Sequence, residues 1–144
     1  MFLIKRNAFT IIELTFAIVI IGILVAIAVP KFAATRDDAL VSKGISTLSA
    51  VRNSIASERQ KRILRGDFTP ITDLQNGGSG MFTRFNDDGR GIANNVLEYA
   101  VKEGTDPGQW SKSGTTYTFY YQGGSCAFEL TGNRLTGTCA KFGD

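Results

Sequence analysis

Few side chains in this 144-residue chain have a type and spacing that suggest chemistry. The two cysteines, Cys126 and Cys139, lie in the last fifth of the sequence. Histidine is absent, which removes the commonest general base and the commonest metal ligand together. Glu13 lies inside an apolar run, where a charge at the centre of a bilayer costs about 2.5–3.5 kcal/mol on insertion scales. Arg59, Lys61, Arg62 and Arg65 form a basic cluster that could meet nucleic-acid phosphates. No aromatic residue is interleaved for base stacking, so nucleic acid is an unlikely partner. The favoured reading is cations that complement a helix C-terminus and stay solvated. Residues 76–80, NGGSG, lack the Gly-Lys-Ser/Thr ending of a phosphate-binding loop. Asn86, Asp87 and Asp88 before Gly89 lack the alternating spacing of a calcium loop and predict a turn. No nucleophile with a base, carboxylate pair or metal set can be assembled, so no catalytic residue, metal or cofactor is expected and the chain reads as no enzyme.

The elements that must position these residues begin at the N-terminus. Residues 9–29 read FTIIELTFAIVIIGILVAIAV. At about 1.5 Å per residue they span roughly 31 Å, the hydrocarbon thickness of a bilayer. Lys5 and Arg6 precede the span and Lys31 and Arg36 follow it, a charge balance that leans toward a cytoplasmic N-terminus. An ordinary signal peptide is the competing reading, with Ala26-Ile27-Ala28 as its cleavage site. The length of the apolar stretch and the early carboxylate argue against it. Near the end of the span Glu13 costs less, and the positive pole of a helix N-terminus favours it. The formal net charge of +3 owes two charges to Lys5 and Arg6 and is weak evidence for a polyanionic partner.

Beyond Pro30, which would kink a helix interior, apolar residues recur at Val41, Ile45, Leu48 and Ile55. That spacing marks one face of an amphipathic helix. A single long helix from about 9 to 64 is expected, with its amphipathic half over about 31–65, ending in cations before a left-handed cap at Gly66. Residues 66–91 should be loop, 91–104 could hold a short helix, and Trp110 should follow a turn at Asp106-Pro107-Gly108 and cover one edge of the core. From about 115 to 141, three strands are separated by Gly123-Gly124 and Gly132-Asn133 as two-residue hairpin turns. Counting outward, Leu130 faces Leu135, Phe128 faces Gly137 and Cys126 faces Cys139 around the second turn. Around the first, Tyr117 faces Leu130, Phe119 faces Phe128 and Tyr121 faces Cys126. All fall on one face. Thr118, Tyr120, Glu129 and Thr136 fall on the other. A three-stranded antiparallel sheet laid on the helix follows, and in an exported chain Cys126 and Cys139 would pair as a disulfide.

The segment KRNAFTIIELTFAIVIIGILVAIAVPKF resembles the leader and N-terminal helix of type IV prepilins and type II secretion pseudopilins. The likeness covers about 30 residues and rests on co-occurring features: a short basic leader, a small residue before Phe9, Glu13 four residues on, the apolar span, then Gly22 and Pro30. It implies an α+β, type IV pilin-like fold. Residues 1–8 would be a leader, 9–29 a transmembrane or filament-core helix half, and 30–144 an extracytoplasmic head. A prepilin peptidase would cut between Ala8, where the family usually has Gly, and Phe9, and would methylate the Phe9 amine. Glu13 would serve assembly by neutralising a neighbour's Phe9 ammonium, and Gly22 and Pro30 would bound a stretch of helix kinking and unwinding. The implied function is a structural subunit polymerised for secretion, DNA uptake, adhesion or motility. Its partners would be itself or related pilins, the peptidase, an inner-membrane assembly platform and, before assembly, the lipid bilayer. It would be single-pass in the inner membrane, then part of a periplasmic or extracellular filament. The alternative is an anchored or exported periplasmic binding module that never polymerises.

Overall fold

The computed structural model describes residues 9–143. The leader, with Lys5, Arg6 and Ala8, lies outside the described residues. One helix, α1 (Ile11–Leu64), is followed by irregular chain and then four strands: β1 (Trp110–Ser113), β2 (Thr116–Tyr121), β3 (Gly124–Thr131) and β4 (Arg134–Thr136). A 3-10 turn, Ala140–Phe142, follows β4 among the described residues. The fold divides into two compact units, one ending at Arg36 and the other beginning at Asp37. It is the α+β architecture that the resemblance to pilins implies.

In the second unit, the buried positions of α1 are Val41, Gly44, Leu48, Val51, Ile55, Glu58 and Arg62. Steps of three and four residues keep them on one stripe. One position departs from the stripe expected above: Ile45 points outward, 37 % exposed, and its place toward the sheet is taken by Gly44. The reason is steric. A Cβ on Gly44 would lie 2.7 Å from two ring atoms of Phe119 and 2.9 Å from Phe142. The absent side chain lets the sheet's aromatic layer approach the helix. Gly44→Ala therefore sets about 1 kcal/mol of improved helix propensity against about 1–3 kcal/mol of overpacking. Phe119 is fully buried and lies 5.2 Å from the Trp110 ring, so it has little room to yield. The expected result is a net loss of about 1 kcal/mol, read as a lowered midpoint in urea titration of the detergent-solubilised chain. The helix ends as its sequence predicts. Gly66 takes φ 74°, its N–H donates to Ile63, and Asp67 donates to the Arg62 carbonyl, the paired bonds of a left-handed C-cap.

The sheet has four antiparallel strands in the order β1-β2-β3-β4, one more than expected. The additional strand is carried by Trp110, which is 1 % exposed and central to the core rather than at its edge. Trp110 packs edge-on to Phe82 at 5.1 Å and against Phe128 at 5.8 Å. The turn before it forms at the expected place, with Gln109 N–H donating to the Asp106 carbonyl. The β3–β4 register is as counted, with Leu130 opposite Leu135 across a Gly132-Asn133 turn whose two central residues have φ 58° and 62°. The β2–β3 register is shifted by two residues. Tyr117 faces Phe128, Phe119 faces Cys126 and Tyr121 faces Gly124. The turn is centred on Gln122-Gly123, with positive φ at Gly123, and Gly124 serves the ladder instead. A Cβ there would lie 2.7 Å from the Tyr121 hydroxyl, so the tyrosine ring folds over its glycine partner. A two-residue shift preserves sidedness, which is why Tyr117, Phe119, Cys126, Phe128, Leu130 and Leu135 still share the buried face.

No helix forms over 91–104. That segment runs instead beside 81–85, with Met81 and Val101 exchanging backbone hydrogen bonds of 2.7 and 3.1 Å and Val96 N–H donating to Thr83. Its β-branched Val96 and Val101 and the weak helix formers Asn94 and Asn95 suit pairing better than a helix. Apolar spacing alone did not separate the two.

Candidate functional site

The described residues that the sequence singles out fall in four places: the head of α1, its apolar half, its C-terminal end, and the cysteine pair.

At the head of α1 the side chain of Phe9 is exposed and precedes the first turn. Thr10 occupies the N-cap. Its hydroxyl oxygen accepts the Glu13 N–H at 3.3 Å, while Glu13 Oε2 accepts the Thr10 N–H at 3.4 Å and the Thr10 hydroxyl at 3.3 Å. This reciprocal arrangement is a capping box, Thr-x-x-Glu, and it satisfies two backbone donors that an apolar medium would otherwise leave bare. Its signal stands in the sequence as Thr10-x-x-Glu13, a pattern that a reading of Glu13 as a charge alone does not use. Glu13 thus has a local partner as well as a charge, and the two roles are separable by chemistry.

From Phe9 to Phe32 the apolar side chains are exposed on every face, and α1 contains a window of 18 residues with mean hydropathy 2.8 and none of it buried. A helix that is apolar all round requires an apolar surrounding, lipid or other helices. The Thr15 hydroxyl donates to the Ile12 carbonyl at 2.9 Å and so offers no bare polar group to that surrounding. Gly22 lies in open space, with no atom within 4 Å of a Cβ built there. Pro30 lies inside the helix, which continues through it. Without an N–H, Pro30 leaves the Ala26 carbonyl lacking its usual donor.

At the other end of α1, Lys61 is exposed as expected of a solvated cation, but Arg59 and Arg65 are only part-exposed and Arg62 is not exposed at all. Arg62 is fully buried. Its Nε donates to Glu58 Oε1 at 3.0 Å, and its two terminal nitrogens donate to the carbonyls of Thr69 and Asn86 at 3.3 and 2.6 Å. Glu58 is 2 % exposed, and both of its oxygens also accept from Asn94 Nδ2, at 3.2 and 3.0 Å. Arg65 reaches Glu58 at 3.8 Å and Asp88 at 3.6 Å. The cause is topological. The long loop folds back across the helix end, and its carbonyls need donors that no regular element supplies. Sequence spacing could have signalled the pair, because Glu58 and Arg62 are four residues apart on the buried stripe. The Asp87-Asp88 turn forms as expected, with Asp88 Oδ1 accepting the N–H groups of Arg90 and Ile92. Nearby, partial burial works against the charged form of Asp73. The hydrogen bond from Lys112 at 2.6 Å and the Gln75 N–H outweigh it and hold the carboxyl below its usual range. Burial pushes the Tyr117 hydroxyl, which donates to Asp73 and caps Leu74, well up.

Cys126 and Cys139 form a disulfide with Cα atoms 5.5 Å apart. The ladder of β4 stops at Thr136, so the bond carries the pairing past the last backbone contacts. Gly137 lies against Phe128, as counted from the turn, and a Cβ there would meet the Ala127 carbonyl and Phe128 within 2.5 to 2.9 Å. The disulfide closes a loop of 13-residue separation, worth roughly 3 kcal/mol in the chain-entropy account.

Comparison with known proteins gives one informative likeness. The chain is 50 % identical over 52 residues to the type IV narrow pilus major component of Thermus thermophilus. The match covers 36 % of this chain and 45 % of that protein, so it spans less than half of the relative's length. No family model matches the chain, and no solved structure matches it. Together with the long apolar N-terminal helix, the likeness fits a type IV pilin.

Proposed function

We propose that this chain is a structural subunit, a pilin or pseudopilin, of a type IV filament machine, made as a membrane-anchored precursor and polymerised through its N-terminal helix. The observation that carries the reading is the pairing of a capped, all-round apolar helix half with a 52-residue likeness to the major component of a narrow pilus. Residues 1–8 act as leader, 9–29 as the span that becomes filament core, and 30–144 as the head. A prepilin peptidase cuts between Ala8 and Phe9 and methylates Phe9. Gly22 and Pro30 are the points where the helix yields on leaving the bilayer. The N-terminus is cytoplasmic before processing and the head lies outside the inner membrane. An assembly platform in that membrane extracts the subunit, which serves secretion, DNA uptake, adhesion or motility.

Intact-mass spectrometry of membrane and filament fractions tests the processing. The expected mature chain begins at N-methylated Phe9. A chain beginning at or near Val29 would instead identify ordinary signal-peptidase export of a periplasmic module and end the pilin reading.

A further inference from the structure

A groove of about 570 Å³ runs between α1 and the β4 edge. Exposed Ala56 forms its apolar floor over the edges of Ile55 and Leu135, each 2 % exposed, and Arg52, Arg59 and Arg134 supply its charge. Arg52 is held in place: its Nε donates to the Leu135 carbonyl at 3.0 Å and its guanidinium lies 5.9 Å from the centre of the Phe128 ring. Arg59 leans on the Thr69 carbonyl at 3.5 Å. Among the described residues, none of the three makes an ion pair with a carboxylate. Three guanidiniums around an apolar floor leave their terminal donors for an anion, while the floor suits a ring.

The same chain carries a shape of that chemistry elsewhere. Tyr99 is 81 % exposed, with its ring in solvent, and Glu98 beside it is exposed and bears a charge without an ion-pair partner among the described residues. Knob and groove cannot meet within one copy. The segment bearing Glu98 and Tyr99 is tied to one flank of α1, where Ser54 Oγ donates to the Val96 carbonyl at 2.5 Å and Asn94 reaches Glu58. The groove is built on another flank, where Arg52 holds Leu135. At about 100° per residue, Ser54 and Ala56 project to nearly opposite sides of the helix.

We infer that the Arg52–Arg59–Arg134 groove is a docking site for a second copy of this chain, which inserts Tyr99 over the apolar floor and sets Glu98 against the guanidiniums. A contact between two different patches of one chain is heterologous, and a heterologous contact that does not close generates an open helical polymer. The inference rests on the pilin reading and adds to it a specific head-to-head contact that sets which neighbour a subunit accepts.

Cysteine cross-linking in filaments tests it. The native cysteines already pair with each other, so Ala56→Cys and Tyr99→Cys would supply the free thiols. A chain bearing both should give oxidised ladders longer than dimers in sheared filaments. Filaments mixed from the two single variants should give dimers. Charge reversal is the second measurement. Glu98→Arg, which sets a cation against three guanidiniums, should cut filament yield by at least about tenfold, and Arg134→Glu, which leaves Arg52 and Arg59 in place, should cut it less. The double variant Glu98→Arg/Arg134→Glu, which gives the new cation a carboxylate at 134 while Arg52 and Arg59 remain, should recover part of it. Filaments of normal yield in both single reversals, or assembled filaments without cross-links, would overturn the contact and leave polymerisation standing. Failure of the unmodified processed chain to polymerise would overturn the pilin reading, and the contact with it.

Discussion

Replacing Glu58 by alanine should remove about 3–5 kcal/mol from the stability of the head, because it strands the Arg62 guanidinium in the interior. Arg62 is fully buried, and its neighbours, the Thr69 and Asn86 carbonyls, are neutral. Arg65, 3.8 Å from Glu58, would lose part of its compensation at the same time. The loss is large beside the roughly 5–15 kcal/mol that holds an ordinary domain together. Thermal unfolding of the detergent-solubilised chain, followed by circular dichroism, measures it. The pair itself need not be strongly stabilising. Exchanging both partners for apolar residues, as in Glu58→Leu/Arg62→Leu, should cost less than the single change, since no charge is then left unpaired. The two carbonyls would still lose their donors, so recovery would be incomplete. A double variant as unstable as Glu58→Ala would show that Arg62 acts chiefly by holding the loop carbonyls.

The legibility of this fold in its sequence varied with the kind of signal. Sidedness was easy to read. Alternation along β2 and β3 placed Tyr117, Phe119, Cys126, Phe128 and Leu130 on the core face, and a two-residue error in register left that face intact. The cysteine pairing was readable for the same reason, since it depended on the Gly132-Asn133 turn, where both residues take the positive φ that such a turn requires. What a glycine does was harder to tell. Gly124 reads as a turn residue but lies under the Tyr121 ring, and Gly44, which the apolar spacing passes over in favour of Ile45, admits Phe119. Both serve contacts with residues far along or across the chain, and periodicity holds no information about such partners. The buried Glu58–Arg62 pair failed to register because a cation near a helix end has a simpler explanation in the dipole. Only the fold of the loop over that end makes burial necessary. The Thr10–Glu13 cap is present in the sequence as a local Thr-x-x-Glu pattern, but the charge of Glu13 offers a simpler reading that hides it.

That cap makes the assembly role of Glu13 testable with a single atom exchange. In a capping box, glutamine serves at the third helical position nearly as well as glutamate, because a side-chain carbonyl can still accept the Thr10 N–H. Glu13→Gln therefore keeps the geometry seen at 3.3 and 3.4 Å and removes only the charge. Were Glu13 no more than a helix-end acceptor, the variant would insert, be processed and assemble at normal levels. The pilin reading predicts a different outcome. On that reading, cleavage before Phe9 would create an ammonium at the end of an apolar helix, and in a filament core that charge would have no water to solvate it. An unpaired buried charge costs several kcal/mol, and a neighbour's carboxylate relieves that cost only in one axial register. Membrane insertion and leader cleavage should thus stay within about twofold of normal, while recovery in sheared filaments falls by more than about tenfold, the equivalent of roughly 1.4 kcal/mol or more per added subunit. Glu13→Ala, which loses cap and charge together, should be no better in filaments and should also weaken the first turn by about 1 kcal/mol. The two outcomes are read from one pair of measurements, processed subunit in membranes and subunit in filaments, in an otherwise unchanged background. Normal assembly of Glu13→Gln would leave Glu13 as a cap and move the search for the register-setting contact to the head.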